Sequence, residues 1–204
     1  MRRWYLTAVV FVLFGWSIVA AAVVARDAQE LVRTTADKVI ARVKKDKPAL
    51  RAEPLKLHAL VDELIIPHFD FVRMAQWVLG KNWRTANQSQ QTQFVEEFKK
   101  LLVRTYAMAL LEYSDREIRY LPLRQEADGK TVTVKTEVAQ NGSQIVPINY
   151  RMHVKDNDWK VYDVSVDGIS IVSTYRSSFN AEIRKSGIEG LIKDLVTKNS
   201  RKVK

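Results

Sequence analysis

The side chains able to do chemistry are few: three histidines, His58, His68 and His153, and no cysteine in 204 residues. Without Cys, a thiol nucleophile, a zinc ribbon, a CxxC redox pair and a disulfide scaffold are all excluded. The histidines fall on a predicted helix, a loop and the polar side of a predicted strand, and no HExxH puts two of them on one helical face. No GxSxG offers a nucleophile elbow, and neither GxxxxGK[ST] nor GxGxxG supplies a phosphate cradle. His68-Phe69-Asp70 brings two ligand types without a third, and Asp70 has a simpler use as a helix cap. Asp163 and Asp167 at a strand end resemble an acid/base pair, but Asp167 before Gly168 reads more simply as a turn residue. A hydrolase would need His153 beside Asp163, on neighbouring predicted strands. The residues therefore point away from catalysis: no catalytic residue, no metal and no cofactor are expected.

The apolar fraction is 47% with only seven Gly and five Pro, which suits one packed domain and excludes collagen-like or low-complexity chains. Its first stretch differs from the rest. Arg2-Arg3 precedes an uncharged run from Trp4 to Ala25 that ends in the small-x-small patterns Ala20-Ala21-Ala22 and Val23-Val24-Ala25. This reads as a cleaved export signal over residues 1–25, with residues 26–204 as a single exported domain; an uncleaved membrane anchor is the alternative. The formal charge of +10 loses only the two arginines on cleavage. A basic exported protein meets membrane surfaces and acidic proteins rather than nucleic acid.

The remaining chain reads as helices, then strands, then helices. An amphipathic helix covers Asp27–Lys47 and is expected to end before Pro48; Pro54 opens a second that stops near Pro67. Asp70 caps a short helix closed by Gly80, and the apolar stripe from Phe94 to Tyr113 marks a helix over Ser89–Tyr113. The period then changes to two, with strands at Glu117–Arg124, Thr131–Ala139, Gln144–Lys155 and Trp159–Val166. Asp128-Gly129, Asn141-Gly142 and Asp156-Asn157-Asp158 are hairpin turns between them. In the third strand Val146, Ile148, Tyr150, Met152 and Val154 share one face. In the fourth, simple alternation puts Trp159 and Val161 on one side and Tyr162, Val164 and Val166 on the other. Past Asp167-Gly168 helical spacing returns, broken at Gly187. The fold expected is α+β, a four-stranded curved antiparallel sheet covered on one face by helices.

Two stretches carry a resemblance. Pro67-His-Phe-Asp70-Phe71-Val-Arg-Met74-Ala75-Gln-Trp-Val78-Leu79-Gly80-Lys-Asn-Trp83-Arg84, with the helix of Phe94, Phe98 and Leu101-Leu102, resembles the opening signature of the MlaC, or toluene-tolerance, family of periplasmic phospholipid-binding proteins. Trp159-Lys-Val161-Tyr162-Asp163-Val164-Ser-Val166-Asp167-Gly168-Ile169-Ser170-Ile171-Val172-Ser-Thr-Tyr175-Arg176-Ser-Ser-Phe179 is similar to that family's closing strand, turn and helix. The resemblance implies a monomeric periplasmic shuttle for glycerophospholipid that maintains outer-membrane lipid asymmetry. Its implied partners are an outer-membrane lipoprotein complex and an inner-membrane ABC transporter complex with an MCE-domain subunit. Bound lipid is cargo, and some relatives belong to hopanoid-producing pathways instead.

The family holds acyl chains in a slot between sheet and helices. The candidate walls are Phe71, Met74 and Val78 on the short helix, and Phe94, Phe98, Leu101 and Tyr106 on the long one. Tyr150, Met152, Val164 and Val166 join them from the sheet, and Ile169, Ile171, Val172 and Tyr175 from beyond it. The bland alternative is plain core packing, which would make the protein an exported adaptor without ligand. Export itself is directly checkable: N-terminal sequencing of the periplasmic protein is expected to begin after Ala22 or Ala25, and an intact Met1 start would contradict a cleaved signal.

Overall fold

The computed structural model describes residues 17–123, 130–139 and 145–200, with side chains from residue 27 onward. The described elements begin with α1 (Ser17–Ala52), α2 (Pro54–Leu64), a 3-10 turn (Ile66–His68), α3 (Phe71–Leu79), α4 (Lys81–Thr85) and α5 (Gln88–Tyr113). Then come β1 (Ile118–Tyr120), β2 (Thr131–Ala139), β3 (Ile145–Lys155), β4 (Asp158–Val166), β5 (Ile169–Ser170) and α6 (Ile171–Ser200). The turns expected at Asp128-Gly129 and Asn141-Gly142, and most of the export signal, lie outside the described residues.

Local chemistry sets most boundaries. The Asp70 carboxylate accepts the Arg73 backbone N–H at 3.0 Å to start α3, and Gly80, at φ 55°, ends it. Asn87 and Gln90 exchange hydrogen bonds of 2.9 and 3.1 Å in a capping box that opens α5. One boundary differs: α1 does not stop before Pro48 but carries it inside the helix to Ala52. Proline forfeits only its own N–H bond and crowds one carbonyl, and burying Leu50 against α2 and α5 offsets that loss. Gly187, at φ 70°, breaks α6 as its position in the pattern implies.

The sheet is antiparallel throughout, in the order β1-β2-β3-β4-β5. Five strands stand where four are expected, because Asp167-Gly168, both at positive φ, make one more tight hairpin before α6. Asp156 and Asn157, at φ 52° and 64°, form the turn joining β3 to β4.

A β-bulge overturns the simple alternation read for β4. Met152 pairs with Val161 while Arg151 pairs with Asp163, so Tyr162 is an extra residue. Val164 and Val166 therefore rejoin Trp159 and Val161 on the inner face, beside Tyr150 and Ile148, and Tyr162 turns to the outer face with Arg151 and His153. The chain just before α3 closes the exposed edge of β4, the Asp70 N–H donating to the Val161 carbonyl at 2.9 Å.

Apolar packing falls into three clusters. One joins α3, α5 and α6 through Met74, Val78, Phe94, Phe98 and Phe179. A second sets Ala28 and Val32 of α1 on Val132, Val134, Met152, Trp159 and Val161 of the sheet. The third ties α1, α2 and α5 through Val43, Leu57, Val61, Ala107 and Leu111. Leu57 is fully buried in the third cluster, so Leu57→Ala is expected to lower unfolding free energy by about 2–5 kcal/mol in urea titration. An unchanged midpoint would contradict that packing.

Candidate functional site

The inner sheet face is built in rows. Register aligns Tyr120, Thr136, Ile148 and Val166 in one, and Val134, Tyr150 and Val164 in the next. Ala28, Leu31 and Val32 of α1 cover the Trp159 end, while Ile148, Tyr150, Val164 and Val166 keep accessible surface. Tyr150 is the telling member. Its phenol lies deep enough that burial pushes its pKa up to about 12, yet the residue is only partly buried. On the helical side, Phe71, Leu101, Tyr106, Ile171 and Tyr175 are likewise apolar or aromatic and incompletely covered. Tyr106 is 40% exposed, yet burial of its hydroxyl and the adjoining Tyr175 phenol raise its pKa to about 12.

The fifteen candidate walls thus divide. Met74, Val78, Phe94, Phe98 and Val172 are sealed in the α3–α5–α6 cluster, where Phe94 and Phe98 stack at 5.6 Å and meet Phe179 edge-on. Met152 is sealed between α1 and the sheet. Ile169 is 66% exposed at the β4–β5 turn. The eight incompletely covered residues are Phe71, Leu101, Tyr106, Tyr150, Val164, Val166, Ile171 and Tyr175. Spacing alone misses Ile148 and Tyr120; strand register supplies both, since they share a row with Val166.

Two buried polar groups hold the helices in position. Asp163 accepts the Ser170 hydroxyl at 2.8 Å and the Val172 N–H at 3.2 Å, which anchors the start of α6 to β4. Its carboxylate is therefore committed, and His153 bonds elsewhere. His153 Nε2 lies 3.1 Å from Asp70 Oδ2, and Arg73 Nη1 donates to His153 Nδ1 at 3.0 Å, which fixes the neutral tautomer with its proton on Nε2. The acid/base pair imagined between His153 and Asp163 does not assemble. Asp70 is at once a helix cap, the His153 partner and, at 3.3 Å, the partner of Lys155. Burial acts to raise its pKa, but the Arg73 N–H and the Lys155 ammonium outweigh it and hold the carboxyl below the usual range. Burial, and then the Arg73 guanidinium, lower His153 against the pull of Asp70.

Among the described residues no group of three or more His, Asp or Glu side chains could hold a metal, and no helix is long and apolar enough to cross a membrane. Sheet and helices define a class: an α+β domain whose antiparallel sheet carries an apolar face that the helices cover incompletely. The chain belongs to the MlaC protein family, whose model matches residues 33–197. It is 24% identical over 197 residues to the intermembrane phospholipid transport system binding protein MlaC of Haemophilus influenzae, covering 94% of this chain and 91% of that one. The toluene tolerance protein ttg2D of Pseudomonas putida is 26% identical over 166 residues, 81% of this chain and 77% of its own. A solved phospholipid-binding protein from Ralstonia solanacearum, in complex with a phospholipid, superposes with a TM-score of 0.79 at 39% identity, over 85% of this chain and 97% of that one.

The His153 environment sets a pH dependence. A histidine with a lowered folded pKa stabilises the fold fully above its ordinary value of 6.5, and that contribution is lost as pH falls through the lowered value. Asp70 is also lowered, so its contribution survives to more acid pH, below its ordinary 3.8. The urea midpoint is therefore expected to fall from about pH 7 to about pH 5, with a smaller fall in His153→Gln. His68, lowered by burial and by Lys160 and Lys38, accounts for the slope that remains. An identical slope in both proteins would contradict the assignment to His153.

Proposed function

We propose that this protein is a periplasmic carrier of glycerophospholipid that does no chemistry on its cargo. It is exported through a cleaved signal over residues 1–25 and works as a monomeric domain of residues 26–204. It exchanges lipid with an outer-membrane lipoprotein complex and with an inner-membrane ABC transporter complex bearing an MCE-domain subunit. The observation that carries the reading is the 39% identical relative of the same fold, solved with a phospholipid. The sheet supports it, since Ile148, Tyr150 and Val164 keep accessible apolar surface on its inner face beyond the end that α1 covers.

The energetics require such a space. Two acyl chains of roughly fifteen methylenes, at about 0.8 kcal/mol each, make bare passage through water cost about 24 kcal/mol. An apolar slot replaces nearly all of that burial, so loading and unloading become close to balanced and a partner can tip either one. No metal and no organic cofactor enters this scheme. The phenols of Tyr106 and Tyr150 suit the walls, because a raised pKa keeps them neutral beside lipid at every pH the periplasm meets.

Vesicle-to-vesicle transfer of fluorescent phospholipid tests the reading. The wild-type chain is expected to accelerate transfer, and Val164→Trp to reduce it roughly tenfold, since overfilling costs about 1–3 kcal/mol. Ile171→Asp, which sets a carboxylate in the apolar space, is expected to reduce it further. Transfer no faster than without protein, or undiminished in both folded variants, would overturn the proposal.

A further inference from the structure

The outer side of the molecule carries a feature that lipid binding does not use. No Asp or Glu occurs between Phe71 and Val95, or between Gly168 and Ala181, whereas Arg73, Lys81, Arg84 and Arg176 lie in those stretches. The fold brings the two stretches together. Asn82 Nδ2 donates to Asn180 Oδ1 at 2.8 Å, and the Arg176 guanidinium lies 3.3 Å from where a side chain at Gly80 would begin. Arg151 joins them from the outer sheet face, its guanidinium 5.8 Å from the Trp77 ring and 5.3 Å from the Tyr162 ring.

Among the described residues none of these five cations makes an ion pair. Asp163, opposite Arg151 in the sheet, is committed to Ser170 and Val172. Asp70 beside Arg73 is committed to His153 and Lys155. Two apolar side chains of α3, Val72 and Trp77, are each 42% exposed. Trp77 is held by Tyr162 at 6.1 Å and by Arg151, so its ring is pre-positioned rather than free.

We propose that this face, which carries the exposed Val72 and Trp77 of α3 and the cations Arg73, Lys81, Arg84, Arg151 and Arg176, docks an acidic surface of a partner protein. Trp and Arg are the residues that dominate protein interfaces, while Lys is depleted there, and four of the five cations here are Arg. The Arg151 guanidinium, already held over the Trp77 and Tyr162 rings and without an ion pair, loses little freedom on meeting Asp or Glu. Two exposed apolar side chains offer too little area to bury in a bilayer, so a protein surface fits better than a lipid one. The inference rests on the carrier reading for why docking is needed, since a shuttle must meet both a donor and an acceptor.

A photo-crosslinking residue placed at Gln76, exposed beside Trp77, tests this in living cells, with the same residue at Leu55 on α2 as control. Adducts at position 76 are expected to map by mass spectrometry to a protein segment in which Asp and Glu outnumber Lys and Arg. Their yield is expected to fall about tenfold or more in Lys81→Glu/Arg176→Glu, and again separately in Arg151→Gln. Lipid carried by each variant, read by native mass spectrometry, is expected to stay at the wild-type level, which separates failed docking from a failed carrier reading. Adducts to phospholipid alone, adducts to a neutral or basic segment, yields no higher than at Leu55, or yields unaffected by charge reversal would each overturn the proposal.

Discussion

One inserted residue in β4 organises the molecule. Because Tyr162 is extra, the strand keeps Val161, Val164 and Val166 on the inner face while turning Tyr162 and Asp163 outward. Each outward residue then holds a helix: Tyr162 receives Arg73 at 4.7 Å and Trp77 of α3, and Asp163 holds the first turn of α6. The helices are thereby fixed at the strand's edge and outer side. Without the bulge, strict alternation would send Val164 outward and set Asp163 among the apolar rows, where an unpaired carboxylate is costly.

That arrangement splits the core: the inner face packs with α1 in one cluster, while Tyr162 on the outer face joins the α3–α5–α6 cluster. A folded chain ordinarily closes on its apolar surface, since every uncovered methylene forfeits about 0.8 kcal/mol. Here α3 and α6 are anchored at the edge and outer side of β4 and α1 sits over one end of the sheet, so Ile148, Tyr150 and Val164 keep accessible surface. The sealed aromatic block of Phe94, Phe98 and Phe179 supplies rigidity beside the open region. Sealed and incompletely covered apolar residues alternate along the same helix: Phe98 is buried, while Leu101 and Tyr106 further along α5 are not.

Much of this was legible from residue order. Asp70 as a cap, Gly80 and Gly187 as breaks, Thr131–Ala139 as a strand and the Asp156-Asn157 turn follow from local chemistry, which short segments carry by themselves. What was not legible depended on pairing. Pro48 survives inside α1 because Leu50 finds partners on other helices, and β5 exists because Asp167-Gly168 has Ser165–Val166 to fold onto. The division of candidate walls into sealed and uncovered was hidden for the same reason. Met74 and Phe71 look alike at helical spacing, and only packing against α5 and α6 seals the first while leaving the second half open.

The central claim is that this protein carries phospholipid. Native mass spectrometry of the wild-type protein, purified from the periplasm without detergent, tests it most directly. A stoichiometric adduct that denaturation releases as a diacyl phospholipid is the result expected from the apolar space around Tyr150 and Val164. A bare polypeptide that stays bare after incubation with phospholipid vesicles would contradict it.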